Sequence, residues 1–195
     1  MLVHIAGFVL IVVAGGLLVC NAINSLEGKL IAAVIVYVAS ALASNLASFA
    51  YHFSGWHGRR MLLRRIDHAA IYPSITGTFT PFFVHADTAW TLSLLAICWV
   101  LSAVAIWKKI FDVDVQSRWS MASYLGLGAI GLSAVPDLTS VPQAATICVL
   151  AGAFSYVLGT VFYARRTLPY RYAIWHAWVN LGGALMFAGI WMTLL

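Results

Sequence analysis

The sequence predicts an all-α integral membrane protein, a bundle of seven transmembrane helices, and three observations predict it. Of the 195 residues, 63% are hydrophobic and only 9% are charged, whereas a water-soluble domain carries about 25% charged residues. The charges punctuate the chain, leaving uncharged runs long enough to span roughly 30 Å of hydrocarbon at about 1.5 Å per helical residue. Those runs are apolar all round, without the apolar–polar alternation of a barrel strand.

The predicted spans cover about residues 2–24, 30–54, 67–86, 88–107, 119–136, 139–163 and 172–194. The first lacks the positively charged start of a signal peptide, and Val19 before Cys20 is a poor lipoprotein cleavage signal, so it reads as a membrane helix. The second ends in Ser44-Asn45-Leu46-Ala47-Ser48-Phe49-Ala50-Tyr51-His52. The third opens on Ile66-Asp67-His68, and Pro73, Gly77 and Pro81 predict a kink in it. The fourth closes at Trp107 before Lys108 and Lys109, and the fifth opens at Trp119. The sixth ends before Arg165 and Arg166, and the seventh opens on Tyr172-Ala173-Ile174-Trp175-His176. Seven spans with short loops use nearly all of residues 1–195, so one membrane domain is expected, with no separate soluble domain and no soluble partner evident.

Orientation follows from the loops. Arg59, Arg60, Arg64, Arg65, Lys108, Lys109, Arg118, Arg165, Arg166 and Arg171 follow spans two, four and six. Only Lys29 lies on the other side, with Glu27, Asp87 and Asp137. The basic side is expected to be cytoplasmic, which puts Met1 inside and Leu195 outside a cell inner (plasma) membrane. Trp56, Trp107, Trp119 and Trp175 fall at span ends, where interfacial aromatics belong. The net charge of +5 is accounted for by these loops, and nucleic acid is not an expected partner. Cys20, Cys98 and Cys148 form no CxxC pair and read as small buried hydrophobes.

Polar side chains inside apolar spans are costly and call for an explanation. Ser44, Ser48 and His52 recur every four residues and stack on one helix face. With the topology above, His52, Asp67 and His176 share one depth at the cytoplasmic end. Two imidazoles and a carboxylate suit Zn²⁺ with one open position, which lowers the pKa of a water to about 7. Asp67 is then a ligand or a general base, and Ser48 orients water or an oxyanion. The structural alternatives are a dipole-facing carboxylate at a helix start for Asp67, an interfacial position for His176 and close helix packing for the serines. His57 and His85 read as solvated loop residues, and His4 and His68 stay open between the two kinds of role.

Ser48-Phe-Ala-Tyr-His52, the stretch Leu63-Arg-Arg-Ile-Asp67-His68-Ala-Ala-Ile-Tyr-Pro-Ser-Ile-Thr-Gly-Thr-Phe-Thr-Pro81, Gly152 to Tyr163, and Ala173-Ile-Trp-His176 together resemble the bacterial hemolysin III family, relatives of the progestin and adipoQ receptors. The resemblance runs from His4 to the last span. It implies a seven-helix bundle with a zinc ion near the cytoplasmic surface. The implied ligands are a histidine at the position of His52 and a pair spaced four apart at the start of span seven. A carboxylate matching Asp67 contacts the metal through water, beside a serine matching Ser48. Relatives are implied to be lipid amide hydrolases, or pore-forming and lytic.

The chain departs from that pattern at one position. His176 matches the second histidine of the pair, but four residues earlier stands Tyr172, and a phenol with an ordinary pKa of about 10 is a poor zinc ligand. The remaining ligand set is His52, His176 and Asp67. His68 is a poor substitute for the missing imidazole, because it points about 100° away from Asp67 on the same helix. The expected function is a zinc-dependent hydrolase of a membrane lipid amide or ester. The alternative is a non-catalytic membrane protein, a pore or a regulator of membrane state, whose polar cluster is structural. A ligand-sensing receptor has little to work with, since the cytoplasmic loops are short.

Overall fold

The structure, a computed structural model, describes residues 2–111 and 118–195. The side chains of Arg118 and Trp119, invoked above for orientation and for the interface, lie outside the described ones. Seven α-helices make up the described chain: α1 (Leu2–Ser25), α2 (Gly28–Phe53), α3 (Arg60–Ala86), α4 (Ala89–Phe111), α5 (Arg118–Leu132), α6 (Gln143–Ala164) and α7 (Arg171–Leu194). Single 3₁₀ turns at His57–Arg59 and Val135–Asp137 connect α2 to α3 and α5 to α6. No strand occurs among the described residues.

Five helices, α1, α2, α4, α6 and α7, are long and apolar enough to cross a membrane. The other two differ for separate reasons. α5 has 15 residues, about 22 Å at 1.5 Å per residue, and the chain then turns through Pro136 before Pro142 caps α6. α3 is long enough, but its first turns carry Arg60, Arg64, Arg65, Asp67 and His68, and it begins seven residues earlier than the apolar run that predicted it. Its middle, Thr76 to Phe83, is buried without a break. A helix enclosed by protein need not be apolar, and α3 places Thr76, Thr78 and Thr80 there. Thr76 Oγ1 pairs with Ser102 Oγ at 2.7 Å, and the other two donate to carbonyls one turn back. The α-helix is continuous through Pro73 and Pro81.

Consecutive helices pack side by side and α7 closes the ring against α1, while α3 lies inward and also reaches α5 and α7. Outward faces are apolar, with Val9, Val13 and Leu17 of α1, Val100 and Val104 of α4 and Phe154 of α6 all exposed. Trp56 and Trp107 stand exposed at helix ends. The tight core lies toward one end. It joins Leu18 and Ala22 of α1, Val34 and Tyr37 of α2, Phe79, Phe82 and Phe83 of α3, Val149 of α6, and Met186 and Ile190 of α7. Glycines let α6 and α7 touch backbone to backbone: a Cβ at Gly182 would sit 3.1 Å from the Gly152 carbonyl and 2.9 Å from the Tyr156 ring. Small residues make such approaches possible where no water drives helices together.

Candidate metal centre

The opposite end of the bundle holds the histidines. α1 begins there, α2 ends there and α7 begins there, because the chain reverses direction between consecutive helices. Their terminal turns carry His4, His52 and His176. The ring centres are 4.0 Å apart for His4 and His176, 4.7 Å for His4 and His52, and 5.7 Å for His52 and His176. One potential ligand atom from each ring lies within 4.8 Å of the other two, the one such group among the described residues. Two imidazoles sharing a tetrahedral zinc, with Zn–N near 2.0–2.1 Å, set their ring centres about 5 Å apart. The observed separations bracket that value, so the donors fit such an ion after small side-chain rotations.

Local packing holds the three helix ends in register. Asn180, one turn beyond His176 on α7, donates from Nδ2 to the Val3 carbonyl of α1 at 2.9 Å. Gly7, one turn beyond His4, lies where a Cβ would meet Asn180 Oδ1 at 2.6 Å and Asn45 Oδ1 at 3.1 Å. Asn45 is fixed in turn by donating to the Ala41 carbonyl at 2.9 Å. Aromatic groups fill the rim: the Tyr51 ring lies tilted against His52 with centres 4.7 Å apart and carries the Arg60 guanidinium 5.2 Å above it. Phe53 meets His4 edge-on at 5.4 Å.

Asp67 lies beside Ser48, one turn below His52 on the α2 face. The buried Ser48 hydroxyl is close enough to act on the Asp67 carboxylate as a donor, though the pair falls short of a well-aligned hydrogen bond. Tyr124 of α5 and Tyr163 of α6 also feel the Asp67 charge. His52 and His176, read from the sequence as sharing one depth, thus stand within reach of one another, while Asp67 lies against Ser48 and is not part of the group of mutually close ligand atoms. His68 is not in the histidine group: its electrostatic neighbours are Lys109, Arg64 and, after them, His52, and its Nδ1 is buried without a hydrogen bond among the described residues. Tyr172 is exposed, and its hydroxyl accepts from Arg171 Nη2 at 2.8 Å.

His4 is the residue that sequence reasoning left open. Its signal was available: a lone polar side chain in an apolar run up to Cys20, at the end of the bundle where the other two imidazoles were expected. Missing was the knowledge that α1 and α7, first and last in the chain, are neighbours.

A multi-pass helical membrane protein with a three-imidazole cluster beneath one surface is the class that fold and site define. Comparison with known proteins then gives the particular family. The family model described as "Haemolysin-III related" matches residues 1–187. The chain is 36% identical over 155 residues to the Hemolysin-3 homolog of Bacillus subtilis (strain 168), covering 78% of this chain and 72% of that one. It is 32% identical over 188 residues to Hemolysin-3 of Bacillus cereus, covering 94% and 85%. The chain belongs to the haemolysin-III-related family.

Proposed function

We propose that this chain is a seven-span protein of the cell inner membrane, its N-terminus cytoplasmic, that hydrolyses an amide or ester of a membrane lipid with the help of zinc. The observation that carries the reading is the meeting of His52 and His176, from helices far apart in sequence, at the end where Ser48 and Asp67 also lie. The basic residues gathered after α2, α4 and α6 support the orientation. The third and fifth spans are α3 and α5, whose polarity and shortness an enclosed helix and an inward turn accommodate.

When bound, zinc supplies Lewis acidity and lowers the pKa of a water to about 7. The chain's own groups do the rest. Neutral His52 and His176 offer nitrogen lone pairs to the ion. Asp67 accepts the proton of the attacking water, as a general base must, and returns it to the amine or alcohol that leaves as the acyl bond breaks, or completes the ligand set itself. Ser48, its hydroxyl without a well-aligned hydrogen bond, donates one to the carbonyl oxygen as negative charge develops there. The apolar outward faces of α1 and α2 keep an acyl chain in the hydrocarbon while its carbonyl reaches the helix ends.

Metal analysis of purified protein, alongside release of a fluorescent acyl chain from amide- and ester-linked lipids in vesicles, tests the reading. About one zinc per chain and hydrolysis abolished by His52→Ala are expected; fewer than about 0.1 zinc per chain sinks it. A second reading, membrane lysis without chemistry, is favoured by the name Hemolysin-3 carried by the relatives. It requires dye leakage from vesicles that His52→Ala leaves intact.

A further inference from the structure

We infer that His4 is the third protein ligand of the zinc site, so that the first helix, and not the turn before His176, supplies the missing imidazole. The inference rests on the zinc reading above. His4 lies closer to each of the other rings, 4.0 and 4.7 Å, than they lie to each other at 5.7 Å. It stands between them, and one potential ligand atom of each ring falls in the same small space. Three nitrogens from three helices leave the fourth tetrahedral position open, the arrangement of catalytic rather than structural zinc.

The approach of α1 is built, not incidental. Asn180 Nδ2 grips the carbonyl of Val3, the residue next to His4. Gly7 lets the next turn of α1 lie against Asn45 and Asn180, where a larger residue would force the Asn180 side chain, the one that holds Val3, to shift. Asn180 and His176 are one turn apart on α7, so one helix face both offers a ligand and fixes the backbone that presents another. Tyr172 is engaged elsewhere: its ring packs against Tyr163 with centres 5.7 Å apart, and its hydroxyl pairs with Arg171 at the exposed rim.

The test uses the full chain in lipid nanodiscs, with Zn²⁺ competition and the visible absorption of bound Co²⁺ as readouts. His4→Ala is expected to weaken Zn²⁺ binding by at least about 100-fold and to change the Co²⁺ spectrum, while Tyr172→Phe changes neither. Asn180→Ala, which leaves every imidazole in place, is expected to cost about tenfold and keeps the inference testable if His4→Ala does not fold. Native affinity and spectrum in His4→Ala, with binding lost in His52→Ala and His176→Ala, overturns the inference and leaves the zinc reading standing. Loss of metal in Tyr172→Phe as severe as in His4→Ala overturns it as well. A native chain that binds no Zn²⁺ overturns both.

Discussion

The two halves of the bundle are built on different principles. In the half away from the histidines, Phe82 and Phe83 are 1% exposed and Leu18, Val34 and Ile190 not at all, and the polar groups at its surface answer one another. Lys29 Nζ meets Asp87 Oδ2 at 2.6 Å, and Thr88 donates to Asp137. In the histidine half, the imidazoles face one another, and among the described residues Ser48 Oγ, Arg64 Nε, Arg65 Nε and His68 Nδ1 are buried without a hydrogen bond of good geometry. Buried polar groups are normally satisfied. The half away from the histidines carries the tight apolar core, and the histidine half carries the three-imidazole cluster.

If that division is right, substitutions in one half move stability and those in the other move metal binding. Phe82→Ala should have the largest effect, about 3–5 kcal/mol of stability from a cavity at the α3 crossing, with Zn²⁺ affinity in the surviving folded protein unchanged. Thermal or denaturant unfolding in detergent, followed by metal titration, reads both. Next, His176→Ala should cost more than about 100-fold in Zn²⁺ affinity while the unfolding transition of the metal-free protein stays within about 1 kcal/mol of the original. A metal-free His176→Ala protein that unfolds as easily as Phe82→Ala breaks the division. Smaller still, Ser48→Ala should slow lipid hydrolysis by about 10- to 100-fold through the lost hydrogen bond to the developing charge. Because the change removes one hydroxyl with no well-aligned hydrogen bond and leaves the helix packing intact, stability and zinc content should fall little with it.

The same division explains what the sequence made legible. Charge spacing located the helices, because apolar side chains must face lipid wherever a helix touches it. α3 matched least well at its start, since Arg60 to Ile66 extend the helix before the apolar run begins; these residues are exposed or half-buried, and backbone hydrogen bonding carries a helix on into charged residues where hydropathy gives no signal. α5 ended early at Leu132 for a local reason, the turn through Pro136. At the site, His52 and His176 were legible because alternation of helix direction puts the end of α2 and the start of α7 on one side. Which helices touch laterally was not legible. That information resides in Gly7, Asn45 and Asn180, ordinary residues in the sequence that become a fitted contact only once α1 and α7 are side by side.

The smallest effect should come from the best-formed ion pair in the described chain. Lys29 and Asp87 join α2 to the end of α3 at a short distance, but both side chains are 52% exposed. Solvent and salt screen such a pair, and its two ends give up rotamer freedom to meet, so exposed pairs contribute about 0–1 kcal/mol. Asp87 has a second role, as the residue with φ 52° that ends α3. Aspartate and asparagine tolerate this left-handed conformation better than most side chains. Asp87→Ala therefore mixes two losses, whereas Asp87→Asn removes the charge and keeps the turn. A double-mutant cycle of Lys29→Ala with Asp87→Asn isolates the pair, and its coupling should be close to zero because both ends are solvent-screened, with zinc content unchanged in all three variants. A coupling well above that, or zinc lost at a distance, would mean that the two ends communicate through α2 and α3, and the division into a half that folds and a half that binds would have to be abandoned.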